Sequence, residues 1–443
     1  MTRSRLLPFL TLVALLAPAG THAQIMSARR MAMGGVTVTR GGSGSDAVNV
    51  AYHAVPAAPE ASSGLPLPVG LIPVLQDPPQ FDPKKPDFNA YELANLLFDP
   101  PWNLMLSKPS TPSSDVIVSV AKNQLAVDLG EIRDVFPKDE SRMGVVSRAP
   151  SFSVGLGPGF VGLSPLIHYE NRLRLNGNLR GALVDGDPFL PLTDYAIFDQ
   201  ARGQAAIQAM AGWAQPIWSP VGAKPHDRSG LYVGARAKLL RGMAYGDADN
   251  TAEFTTRDTL FASDPVDVQY TGRLRSAGPS DGGFGEGFDL GAVLVRGPSE
   301  FGVAVNDIAT RIHWKVKESA VTKDTVSGDY SQQTLREDVP FTSDVPTTVM
   351  VTASTRVAGL LVAGDVVRSA NDITSGHVGV EKWVGMIAVR AGAGVDENQM
   401  VQGSGGVGWR FGKFGLDVAV ASNSRNISRE RAVELGAGLA FYH

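Results

Sequence analysis

Hydrophobic and polar residues alternate one for one along two arms of the chain that meet at Arg296-Gly-Pro-Ser-Glu300. In the first arm Phe288, Leu290, Ala292 and Leu294 fall on one side, with Gly287, Asp289 and Gly291 on the other. In the second, Phe301, Val303 and Val305 oppose Gly302, Ala304 and Asn306. Successive side chains of a strand point to opposite faces, so this period of two predicts a β-hairpin, and Gly-Pro supplies its turn. Farther on, Ile312, Trp314 and Val316 continue one face while Arg311, His313, Lys315 and Lys317 occupy the other.

The same alternation predicts strands near 115–120, 124–129, 151–157, 160–168, 171–183, 204–214, 231–243 and 266–276. After the hairpin it predicts them near 345–357, 360–369, 377–382, 386–394, 401–411, 414–422 and 431–442. Residues 185–200 and 318–344 read as polar loops. In the last third the connections sort by length: short at 296–300, 357–360, 383–385 and 412–413, longer and polar at 318–344, 370–376, 395–400 and 423–430. Short turns on one side and long loops on the other are what an outer-membrane barrel predicts, with the C-terminus on the short-turn, periplasmic side. A soluble two-sheet sandwich would alternate too, but its loops need not sort by length. Apolar faces such as Phe414, Leu416, Val418 and Val420 are then expected to point to lipid, and small or polar ones inward.

The first part of the chain lacks this pattern. Residues 1–23 read as a signal peptide: Arg3 and Arg5, an apolar core from Leu6 to Leu16, and small residues at Thr21-His-Ala23 before Gln24. Residues 24–112 read as an irregular N-terminal region, because the stretch from Pro56 to Pro112 carries 13 of the 29 prolines, each of which removes a donor and fixes φ. One short helix is expected at 88–98, capped by Asp87. Residues 113–443 form the expected barrel.

Composition supports that division. The chain has 443 residues, 49 of them Gly, 19% charged residues and a formal charge of −4, which becomes −6 without Arg3 and Arg5. That profile is too weakly charged to suggest a nucleic-acid partner. There is no cysteine, which excludes disulfides and a lipidated cysteine after the signal. After the signal no run reaches the 18 or so apolar residues of a spanning helix, so a membrane location implies a closed barrel.

Two sequence features point to a family. The terminus Glu434-Leu-Gly-Ala-Gly-Leu-Ala-Phe441 has the polar, Gly and aromatic spacing that the barrel assembly machinery reads in a last strand, with Tyr442 and His443 following. Ala28-Arg-Arg-Met-Ala-Met-Gly-Gly35 followed by Asp46-Ala47, the arm Gly287 to Gly291 with Gly302 to Asp307 and Trp314, and Val345-Pro346 opening a strand together resemble the long-chain fatty-acid transporter superfamily of outer-membrane barrels. Conjugal-transfer and secretion-associated barrels share these motifs. The resemblance covers the ends better than residues 56–230. It implies an all-β transmembrane antiparallel barrel of about 14 strands whose N-terminal segment plugs the lumen, which places Met33, Gly34 and Gly35 in the plug. Where that family carries Asn-Pro-Ala, this chain has Val55-Pro56-Ala57.

Candidate chemistry is sparse. Asp289, Asn306, Arg390, Arg410 and Asp417 are the polar residues expected to face the lumen and any ligand there. Gly403-Ser-Gly-Gly-Val-Gly408 matches the dinucleotide fingerprint by letter, but no helix follows it to receive a pyrophosphate, so no cofactor is expected. Asp185, Asp187, Asp194 and Asp199 read as solvated acids rather than a calcium loop, and the scattered histidines lack metal-ligand spacing, so no metal site is assigned. No catalytic residue emerges, and an enzyme is not expected. The expected function is passive uptake of small hydrophobic molecules through a plugged lumen. The alternative is a non-transporting barrel that anchors or shuttles a secreted or surface protein. Expected partners are outer-membrane lipids and lipopolysaccharide, the barrel assembly machinery and a hydrophobic small molecule.

Overall fold

The computed structural model describes residues 27–37, 40, 45–58, 62–76, 103–107, 117–121, 124–128, 140–148, 152–220, 227–259, 266–323, 330–369, 373–397, 401–424 and 432–442. The signal segment and the expected helix at 88–98 lie outside these residues. The protein is a transmembrane antiparallel β-barrel whose main sheet contains 18 strands.

Four pairs of those strands are single passes broken in the middle. β1 (Ser62–Leu67) and β2 (Leu104–Ser107) both pair with β20 (Ala432–Tyr442). β5 (Glu140–Arg148) and β6 (Phe152–Leu156) both pair with β7 (Gly159–Leu175). β10 (Val266–Ala277) and β11 (Phe284–Arg296) share β9 (Gly230–Thr256), and β13 (Tyr330–Asp344) and β14 (Thr348–Val357) share β12 (Ser299–Lys323). Eighteen strands less four continuations leave fourteen passes. The rest are β8 (Asp194–Trp218), β15 (Leu360–Arg368), β16 (Thr374–Val384), β17 (Ile387–Asp396), β18 (Val401–Phe411) and β19 (Phe414–Ser424). β3 (Ile117–Ala121) and β4 (Gln124–Asp128) form a separate hairpin. Wall strands thus occur on the N-terminal side of residue 113.

The turns between β11 and β12, β14 and β15, β16 and β17, and β18 and β19 are tight. Ala358 (φ 51°) and Gly359 (φ 79°) are both left-handed, the geometry whose twist suits a two-residue hairpin. The opposite edge is uneven, because β8, β9 and β12 run for 25, 27 and 25 residues while β15 to β20 run for 9 to 11. The wall is therefore tall on one side.

Near the short turns the facing is as the alternation predicts. Phe288, Leu290, Phe301, Val303, Val349, Val351 and Phe414 are exposed on the outer surface, and Asp289, Ala304 and Asn306 are buried inside. Higher on β12 the chemistry inverts without a change of side. Ile312, Trp314 and Val316 are buried inward, and Arg311, His313, Lys315 and Lys317 point out. The expectation that apolar faces meet lipid thus fails for this stretch, because the tall part stands clear of the apolar belt and has its own interior core. Two register shifts lie between these regions, where Glu286 pairs with Arg311, Phe288 with Ile308 and Leu290 with Val305. Each adds one residue to β12, so together they restore the original facing.

Three other expectations are corrected. The strand expected to reach residue 183 ends at Leu175, where Asn176 caps a helical turn, its side chain accepting from Leu179 N at 2.8 Å. The loop expected at 185–200 is already strand from Asp194. The loop expected at 318–344 is instead the upper part of the β12–β13 hairpin. The first two lie where Leu175, Leu179, Ala182 and Tyr195 gather into a small core without a period of two, and the third is polar on both faces, so alternation is weak although the strands are paired.

Candidate functional site in the barrel interior

Residues 27–37 and 45–58 lie against the inward face of the wall. Ser27 caps the helix Ala28–Ala32, a single turn that depends on its surroundings for stability. The turn that follows needs left-handed backbone at Gly34 (φ 73°) and Gly35 (φ 89°). Wall glycines let this backbone approach closely: a Cβ on Gly392 would lie 2.1 Å from Met33 C, and one on Gly379 would lie 2.5 Å from Met33 O. Gly34 N donates to Ser404 Oγ at 2.8 Å. Farther on, Asn49 caps the 3-10 turn Val50–His53 and its Nδ2 donates to Ala292 O and Val303 O at 3.2 and 3.1 Å. Met33, Gly34 and Gly35 thus lie against β16, β17 and β18.

Two buried charge clusters line the barrel interior. On β9, β11 and β12, Asp289 Oδ2 accepts from Arg236 at 2.6 and 2.7 Å, and Lys238 Nζ reaches Asp289 Oδ1 at 2.6 Å and Asp307. Arg236 also donates to Asp46 O at 3.2 Å, and Asn306 Nδ2 donates to Val48 O at 2.8 Å. The first extra residue in β12 turns both Asn306 and Asp307 inward, which strict alternation forbids. On β16, β17 and β19, Glu381 accepts from Arg29 at 2.8 and 2.9 Å and from Arg390 at 2.7 Å, while Arg390 Nη1 donates to Asp417 at 2.7 Å. Gly408 makes room for that guanidinium, since a Cβ there would lie 2.7 Å from Arg390 Nη1.

Of the sequence-predicted lumen residues, Asp289 and Asn306 therefore belong to one cluster and Arg390 and Asp417 to the other. Arg410 joins neither: its Nε donates to Gly412 O at 3.0 Å and its guanidinium lies over Tyr442, 4.3 Å from the ring centroid, at the short-turn rim. Sequence reasoning missed Arg29, Arg236, Lys238, Asp307 and Glu381. Arg236 and Lys238 alternate with Ala235 and Ala237 on β9, a pattern that marks the inward face once the lipid side is known.

A third clamp joins Tyr52 Oη to Glu300 at 2.8 Å and Arg228 to the same carboxylate at 2.9 Å. At the tall end Leu166, Leu240, Tyr245, Ile312, Trp314 and Val345 pack into a core inside the sheet. Trp314 Nε1 donates to Ser343 Oγ at 2.8 Å, and Ser343 Oγ donates to Gln204 at 2.5 Å, linking β13 to β8 across that core. Above it a cavity of about 290 Å³ is lined by Glu170, Arg172, Arg202, Asp247, Asp249 and Arg275 among others.

The charges of the two clusters are engaged in ion pairs, buried Asp199 accepts from Asn171 and Asn250, and among the described residues no three His, Asp or Glu side chains converge as metal ligands. No family model matches the chain, and no curated protein matches it. Solved structures do. The toluene transporter TbuX of Ralstonia pickettii is 15% identical over 70% of this chain and 91% of its own, with a TM-score of 0.30. The toluene transporter TodX of Pseudomonas putida is 12% identical over 70% and 90%, with a TM-score of 0.33. The monoaromatic hydrocarbon channel CymD is 12% identical over 70% and 91%, with a TM-score of 0.30. At these scores the strand-by-strand pairing, not the likeness, describes the barrel.

Proposed function

We propose that the protein is an outer-membrane barrel, exported by residues 1–23, that admits small hydrophobic molecules through a lumen its own N-terminal segment occludes at rest. One observation supports this reading: residues 27–37 and 45–58 are packed against the inward face of the wall, on backbone at Gly379 and Gly392 and hydrogen-bonded to β11 and β12. A general porin keeps a water-filled bore. Here the interior is filled by Met33, Tyr52 and Val55, all buried, and by charges already neutralised by partners. Such an interior offers a polar solute no hydrated path. The apolar belt outside places the barrel where hydrophobic solutes concentrate.

The barrel refolded into liposomes is expected to raise the entry rate of toluene, the solute named for two of the solved barrels, above that of empty liposomes. It is expected to leave sucrose entry unchanged. Toluene entry no faster than in empty liposomes refutes uptake, and rapid sucrose entry refutes occlusion.

A further inference from the structure

We propose that the outer surface of the wall carries a seat for one anionic lipid of the outer leaflet. Its acyl chain lies in a groove across β8, β9 and β11, and its phosphorylated head rests between Arg241 and Lys315. The seat rests on the outer-membrane reading and needs no transported solute.

The groove comes from residue size on three neighbouring strands. Ala235 on β9 stands between Trp213 of β8 and Leu290 of β11, and Ala237 stands between Ala211 and Phe288. All six are exposed on the outer surface, so small side chains make a floor and large ones make walls. The groove measures about 390 Å³ and lies at the height of the apolar belt. No water competes for it there, and a flexible hydrocarbon chain gains more close contacts in a groove of fixed shape than on a flat wall.

The same face of β9 continues upward through Leu239 to Arg241, about 14 Å above Ala237. This is the end away from the short turns, and hence the outer leaflet. Arg241 lies between Ile207 and Phe284, with its guanidinium 4.6 Å from the centre of the Phe284 ring. It is held in place by donating to Gly282 O at 2.8 Å and Pro279 O at 3.4 Å, and it keeps further N–H donors for a ligand. On β12, His313 pairs with Phe284, and Lys315 points out two residues higher. Arg311 and Lys317 are paired with Asp344 and Glu337 at 3.3 and 3.4 Å, and Glu286 faces His313 at 3.9 Å. Among the described residues Arg241 and Lys315 have no carboxylate partner. They stand two strands apart, about 10 Å, so one head with two phosphates reaches both. A zwitterionic head would bring its own cation against them. The order of an apolar groove below and two uncompensated cations above is that of a phosphorylated lipid read from chain to head.

The full-length barrel, stripped of lipid in detergent, is titrated with diphosphoryl lipid A or with phosphatidylcholine, and bound lipids are counted by native mass spectrometry. Each cation at an anionic lipid surface contributes roughly fivefold in affinity. One diphosphoryl lipid A is therefore expected to bind roughly twentyfold more tightly than phosphatidylcholine, with monophosphoryl lipid A between them. Arg241→Gln and Lys315→Gln are each expected to lower lipid A affinity roughly fivefold, whereas Lys317→Gln leaves it nearly unchanged. Ala237→Phe fills the floor of the groove and is expected to weaken both lipids roughly tenfold. Heat-modifiable gel mobility confirms that each variant has folded. Lipid A bound no more tightly than phosphatidylcholine, an equal loss for Lys317→Gln and Arg241→Gln, or no loss for Ala237→Phe overturns the seat. A dimer that excludes the lipid overturns it too. Failure of this measurement strikes the lipid seat alone, and absent toluene entry strikes the uptake reading alone.

Discussion

Lys238→Met removes the ammonium that sits between two buried carboxylates and keeps nearly the same side-chain length. Lys238 is 3% exposed, and its Nζ reaches Asp289 Oδ1 at 2.6 Å as well as Asp307. Asp289 keeps Arg236 and the backbone N–H of Asp307 at 2.8 Å, so the larger loss falls on Asp307, which is 1% exposed. Breaking a buried pair from one side costs about 3–5 kcal/mol. Removing the Asp307 charge as well should return much of that. Lys238→Met/Asp307→Asn is therefore expected to cost less than Lys238→Met alone, about 1–2 kcal/mol, the scale of lost neutral hydrogen bonds. Guanidinium unfolding of the barrel in lipid vesicles, followed by tryptophan fluorescence and heat-modifiable gel mobility, measures both. A cost below about 1 kcal/mol for the single variant refutes the buried-pair account, as does a double variant no more stable than the single.

Trp314→Ala empties the core at the tall end and is expected to cost about 3–5 kcal/mol in the same unfolding assay. Val303→Arg, opposite Val351 on the outer face, is expected to cost up to about 2–4 kcal/mol in bilayers, whereas Lys315→Ala on the same strand above the belt costs almost nothing. At the tall end, clear of the apolar belt, hydrogen bonds from Arg273, Arg275 and Arg336 hold the Glu318 carboxyl down from 4.5 to about 2. A carboxyl with a lowered value stabilises the fold above its ordinary range and loses that contribution as pH falls to about 2. Hydrogen exchange in β10, β12 and β13 is therefore expected to accelerate between about pH 4.5 and 2, and Glu318→Gln removes that acid dependence.

Much of the wall could be read from the chain because a strand's period of two is a local property. Phe288, Leu290, Phe301 and Val303 declared their side by spacing alone, and Gly297, Gly359, Gly385 and Gly412 marked turns that the structure places at positive φ. The lumen residues were half legible. Asp289, Asn306, Arg390 and Asp417 were found because each interrupts an apolar or small run at an inward position. Asp307 was hidden by a register shift, since an extra residue in β12 turns two consecutive side chains to the same side. Glu318 to Asp344 looked like a loop because a strand wet on both faces has no hydrophobic alternation to display.

By itself, then, the sequence determined that this chain builds a barrel of alternating strands, where its turns fall, and which face of each lower strand meets lipid. Only the tertiary structure decided which charges meet. Arg29 lies 352 residues from Glu381, and Asn49 lies 243 and 254 residues from the carbonyls it holds. Local propensity carries no information over such distances. Those pairs are set by the curvature of the sheet around residues 27–37 and 45–58, because an inward charge with no water beside it must find its partner on whatever strand that curvature brings near.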